Sequence, residues 1–112
     1  MKIYTSYFAS KAPTERKVSI AKKAPVLFRG QRFLAFAPSK PWAKNWQELY
    51  RYDLEKRFPH GHKLQETLKS ICIMTPDPVL CCYEKSVHQC HRKILAEFIG
   101  KYLDVEVKEW QA

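Results

Sequence analysis

Eleven consecutive residues, Cys82-Tyr83-Glu84-Lys85-Ser86-Val87-His88-Gln89-Cys90-His91-Arg92, hold two thiols, a carboxylate, two imidazoles and a guanidinium. They follow an apolar run, Val79 to Tyr83, and lead into an amphipathic stretch. A strand, a polar loop and a helix start are expected there. The first N–H groups of a helix have no partner within it, so such a joint favours an anion. At that position Cys90 is expected to ionise readily and act as a nucleophile. His91 would orient it or exchange protons. Arg92 would hold a phosphate or carboxylate through two parallel hydrogen bonds. Glu84 would serve as acid, base or partner of Arg92. Strand alternation puts Cys82 with Glu84 on one face, and Cys81 with Tyr83 on the other. Structural alternatives stand beside each role: small core residues for Cys81 and Cys82, a packing residue for Cys90, and an ion pair alone for Arg92 with Glu84.

Familiar loop chemistries do not fit the spacing. A cysteine-phosphatase loop needs an arginine six positions after its cysteine. Six past Cys82 is His88, and six past Cys90 is Ala96. No Cys-x-x-Cys pair, dinucleotide glycine motif or phosphate-loop lysine occurs, and the three glycines are far apart. Cys82, His88, Cys90 and His91 contain metal-binding types, with His60 and His62 elsewhere. Adjacent Cys90 and His91 are expected to diverge, however, and paired cysteine spacing is missing. Neither a metal nor a cofactor is expected.

The elements needed to position these residues can be read from periodicity. Lys2 to Phe8 is β-rich, and Val18 to Ile20 suggests a short second strand. Ser10 to Lys17 is polar and reads as a loop. Four breakers, Pro25, Gly30, Pro38 and Pro41, predict irregular or partly strand-like chain between Phe28 and Phe36. Trp46, Tyr50, Leu54 and Phe58 recur every four residues, which predicts a helix over 44–58. A second helix is expected over 62–72, with Leu64, Leu68, Ile71 and Cys72 on one face. Val79 to Tyr83 reads as a strand covered on both faces. The third helix runs over 90–99, stopped by Gly100, and Val105 and Val107 begin a half-exposed strand. The result is one α/β domain, residues 1–112: a small open, mostly parallel sheet with helices on its faces, in a Rossmann-like three-layer architecture. Ligands of such sheets sit beyond the strands' carboxyl ends. That rule puts Ser6 and Tyr7 on the same rim as the Glu84–Arg92 loop.

The chain has 112 residues and a net charge of +9. Residues 1–44 hold ten Lys/Arg and one acid, Glu15, whereas residues 45–112 hold ten of each sign. This asymmetry favours an anionic partner, a nucleotide or nucleic acid, or an acidic protein. Phe28, Phe33, Phe36 and Trp42 lie among those charges and offer base stacking. Trp42 and Trp46, four apart, suggest instead a shared buried helix face. No apolar run reaches the roughly 20 residues that span a bilayer, and no signal peptide is seen. A cytoplasmic location is expected, with the four cysteines reduced.

The segments Ile3-Tyr4-Thr5-Ser6-Tyr7-Phe8-Ala9, Val18-Ser19-Ile20-Ala21, Phe36-Ala37-Pro38-Ser39 and Cys82-x-Glu84, followed by Cys90-His91-Arg92, resemble the domain of unknown function 488 family. The resemblance covers most of the chain. It implies a small α/β fold and gives weight to Cys82, Glu84, Cys90, His91 and Arg92. It implies no particular reaction. Where a small residue is expected after the arginine, this chain has Lys93, making that position more cationic.

Two functions follow. One is a site at residues 82–92 for a phosphate-bearing ligand, with Ser6, Tyr7, Cys82 and Arg92 binding and Cys90, His91 and Glu84 doing chemistry. The other is a basic protein that binds nucleic acid or an acidic partner through residues 1–44.

Overall fold

The structure is a computed structural model describing residues 1–84 and 90–111. Four strands, β1 (Ile3–Tyr7), β2 (Lys17–Ser19), β3 (Val79–Cys82) and β4 (Val107–Glu109), form one parallel sheet in the order β2-β3-β1-β4. Three helices, α1 (Trp46–Arg57), α2 (Gly61–Met74) and α3 (His91–Tyr102), complete a small three-layer α/β fold.

Apolar spacing explains the helices. Tyr50 and Leu54 of α1 and Phe58 just beyond it are buried, as are Leu64, Leu68 and Ile71 of α2 and Ile94, Leu95, Phe98 and Ile99 of α3. These residues form one core with Ile3, Val18, Leu80 and Cys82 from the sheet. The opposite sheet face carries Val79 and Cys81, covered by Ala12, Tyr4, Phe8 and Trp110. Val79 to Cys82 is buried throughout, as expected for a strand with both faces covered. Among the described residues, no helix is long and apolar enough to cross a membrane.

Three expectations change. Gly100 does not stop α3, which continues to Tyr102. Gly100 is exposed and has open space around it, so only its weak helix preference opposes the continuing turn. Trp42 lies before α1 and is 72% exposed, so it shares no buried face with Trp46. The last strand begins at Val107 and extends to Glu109.

Register sets the carboxyl rim of the sheet. Tyr7 pairs with Cys82, so β1 and β3 end level with each other. The chain leaving β3 and the start of α3 therefore lie at the carboxyl edge of the sheet, where parallel α/β folds place ligands.

Candidate functional site

Cys82 is the last residue of β3, and Cys90 is the N-cap of α3, with extended backbone (φ −120°, ψ 146°). The structure joins the two in a disulfide across a sequence separation of 8. This corrects the reading of all four cysteines as reduced: the strand end and the helix start bring two sulfurs together that sequence spacing keeps apart. Cys72 and Cys81 are free. Burial pushes the Cys81 thiol up to about 12, which suits a packing role.

His91 begins the helix and is buried. Its Nε2 lies 2.7 Å from the carbonyl oxygen of Ile20. A carbonyl only accepts, so Nε2 carries the proton and Nδ1 presents a lone pair. Nδ1 is 3.9 Å from Cys90 Sγ. The expected divergence of neighbouring Cys90 and His91 therefore fails, because one residue is extended and the next is helical. Tyr50 packs edge-on against the imidazole, with ring centres 5.3 Å apart. Burial lowers the His91 pKa to about 4; the Ile20 hydrogen bond opposes this, and the Arg92 charge adds to it. At neutral pH the ring is an uncharged acceptor and not a ready proton carrier.

Arg92 is fully buried. Its Nε and Nη2 donate to the Glu109 carboxylate at 3.0 and 2.9 Å. Its Nη1 donates to Cys82 Sγ at 3.2 Å and also to the Glu84 backbone oxygen. The anticipated Arg92–Glu84 link is thus made by the main chain, while the carboxylate partner is Glu109. Thr5 anchors that carboxylate from β1 through its hydroxyl, at 2.7 Å. Tyr7 stacks near the same guanidinium, 6.0 Å from ring centre to Cζ. Ser6 is buried and pairs with Cys81, in register on the opposite sheet face from Cys82. The structure thus gathers Cys82, Cys90, His91, Arg92 and Tyr7, and leaves Ser6 out. Lys85 and His88 lie outside the described residues.

An open cleft of about 590 Å³ adjoins the sulfur pair. Cys82, Cys90, His91 and Glu84 line it. Lys22, Lys23, Pro38, Pro41 and Trp46 line it too. Sequence reasoning missed Lys22 and Lys23 as site residues. The signal was there: they follow the short strand β2, whose carboxyl end shares the rim. Lys22 is held by the Ser39 carbonyl (2.9 Å) and lies over the Trp42 ring (4.5 Å). The Tyr83 hydroxyl donates to the Lys23 carbonyl at 2.7 Å, tying two of the lining residues together. The arrangement lets sulfur, a neutral imidazole and two lysines border one cleft. No known protein family, curated protein or solved structure matches the chain.

Proposed function

We propose that the protein binds a small phosphate-bearing anion, such as a nucleotide or a nucleic-acid end, in the cleft beside Cys90. In this reading it is a cytoplasmic member of the domain of unknown function 488 family, in which Cys90, once reduced, supplies the reactive thiol. One observation carries the reading: Lys22 and Lys23 share a cleft with Cys82, Cys90 and His91. The lysines supply the charge, a role first given to Arg92, whose charge is directed at Glu109. Arg92 then positions Cys82 and the Glu84 main chain. His91 orients the Cys90 thiol through Nδ1, and Glu84 lines the cleft beside them.

Calorimetric titration of the reduced protein with inorganic phosphate and with nucleoside monophosphates tests this. Wild type should bind, and Lys22→Gln/Lys23→Gln should bind at least about tenfold more weakly with its fold unchanged, since both side chains are exposed. Equal affinity in the two proteins, or no binding at millimolar ligand, defeats the reading.

A second reading rests on Trp42. This exposed ring, with Lys22 against it, has the form of a stacking platform for a single-stranded nucleic acid. It predicts affinity that drops steeply with salt. Several basic residues of the same segment are already engaged: Lys17 holds the carbonyls of Phe8 and Ser10, and Arg16 lies over Trp110. The basic surface is therefore smaller than the raw charge implies.

A further inference from the structure

The sulfur atoms of Cys82 and Cys90 and one ring nitrogen of His91 all lie within 4.8 Å of one another. We propose that, once the disulfide is reduced, Cys82 Sγ, Cys90 Sγ and His91 Nδ1 bind one thiophilic divalent cation, with zinc the first choice, and leave a fourth position open to the cleft.

The donor set carries the first part of the argument. Two thiolates and an imidazole suit zinc, and two negative charges match a dication. Geometry carries the second. With metal–ligand bonds of about 2.0–2.3 Å, the edge of a tetrahedron is about 3.5–3.8 Å. Nδ1 and the Cys90 sulfur already stand 3.9 Å apart. The Cα atoms of Cys82 and Cys90 are 6.9 Å apart, just beyond the roughly 4.4–6.8 Å that a disulfide usually bridges. The backbone thus leaves the reduced sulfurs room to separate around an ion.

The groups behind the ligands support the same assignment. Metal-bound histidines commonly donate their second N–H to a carbonyl or carboxylate, which fixes ring and tautomer. The Ile20 carbonyl does this for His91. Arg92 donates to the Cys82 sulfur and so favours its thiolate form, while Glu109 balances the arginine charge. All three ligand residues border the cleft. Three protein ligands and one open position form the pattern of zinc sites that bind a water or substrate.

The chemistry balances simply. Reduction breaks one S–S bond and takes up two electrons and two protons, which an added dithiol supplies by becoming a disulfide itself. Metal binding then displaces the two thiol protons to solvent. This assignment does not depend on the anion reading, since it uses sulfur and imidazole and not Lys22 or Lys23.

Anaerobic titration of reduced, chelator-treated protein with cobalt(II), followed by zinc, tests the proposal. One equivalent of cobalt should give thiolate-to-cobalt charge transfer and the visible bands of a tetrahedral ion, and zinc should erase both. Cys82→Ser/Cys90→Ser should lose the charge transfer. His91→Ala should bind at least tenfold more weakly, while His60→Ala/His62→Ala and Lys22→Gln/Lys23→Gln should match wild type. The lysine variant thereby separates failure of the metal site from failure of anion binding. Absence of thiolate–cobalt absorption in protein whose thiols titrate as free would overturn the site. So would a charge-transfer band that survives in the double serine variant, because serine is nearly isosteric and the thiolate would then come from Cys72 or Cys81.

Discussion

Arg92 and Glu109 form a two-point ion pair between α3 and β4, with Nε and Nη2 of the guanidinium 3.0 and 2.9 Å from the carboxylate oxygens. The arginine is wholly buried and the Glu109 side chain is 29% exposed. The two losses should therefore be unequal. Glu109→Ala leaves a buried guanidinium without its carboxylate and should cost about 3–5 kcal/mol. Arg92→Met/Glu109→Leu removes both charges and should recover much of that loss. Urea denaturation midpoints check the order. A Glu109→Ala protein as stable as wild type would show that the pair does not hold the strand–helix joint.

Thiol reactivity should separate the cysteines. Both Cys90 and Cys81 are buried, but Cys90 borders the cleft, whereas Cys81 does not and its thiol is pushed up to about 12. Alkylation of reduced protein followed by peptide mass spectrometry should label Cys90 at neutral pH and spare Cys81 until the protein unfolds. Early labelling of Cys81 would mean that β3 is not covered on both faces.

Acid should destabilise the metal-free protein through His91. Folding lowers this group from the ordinary 6.5 to about 4, with burial the largest cause. Between those values the unfolded chain binds the extra proton, so stability is complete above about pH 6.5 and declines as the pH falls toward 4. The loss attributable to His91 is roughly 3 kcal/mol. Denaturation midpoints from pH 7 to 4 should show this slope, and His91→Gln should flatten it. An unchanged slope in His91→Gln would place the titrating group elsewhere.

Much of the fold was legible in the sequence. The four-residue recurrence of Tyr50, Leu54 and Phe58 marked a helix face because helical geometry repeats nearly every four positions. The unbroken apolar run at Val79 marked a covered strand, and strand alternation rightly separated Cys82 from Cys81. The partner of Arg92 was not legible. Glu109 lies 17 positions further on, and it arrives only because β4 pairs with β1, setting Glu109 opposite Thr5. Spacing along the chain describes local geometry, whereas the Arg92–Glu109 contact comes from sheet register; the meeting of Cys82 with Cys90 comes from the end of β3 lying beside the start of α3. The exposure of Trp42 was hidden for another reason: a spacing of four means a shared face only if both residues belong to one helix.

Trp42→Ala should change stability by less than about 0.5 kcal/mol, since the ring is mostly exposed. If the single-strand reading holds, the same change should reduce affinity for a short single-stranded oligonucleotide, and that affinity should fall with added salt. Fluorescence anisotropy at two salt concentrations measures both. Affinity that ignores Trp42 and salt would remove this reading and leave the cleft.

The central claim is that an anion held by Lys22 and Lys23 sits against Cys90. Protection of Cys90 from alkylation by inorganic phosphate or a nucleoside monophosphate tests it most directly, using reduced protein and following the rate by mass spectrometry. The rate should slow, saturating with ligand concentration, and the slowing should be lost in Lys22→Gln/Lys23→Gln. A Cys90 rate that stays constant at every ligand concentration would contradict it.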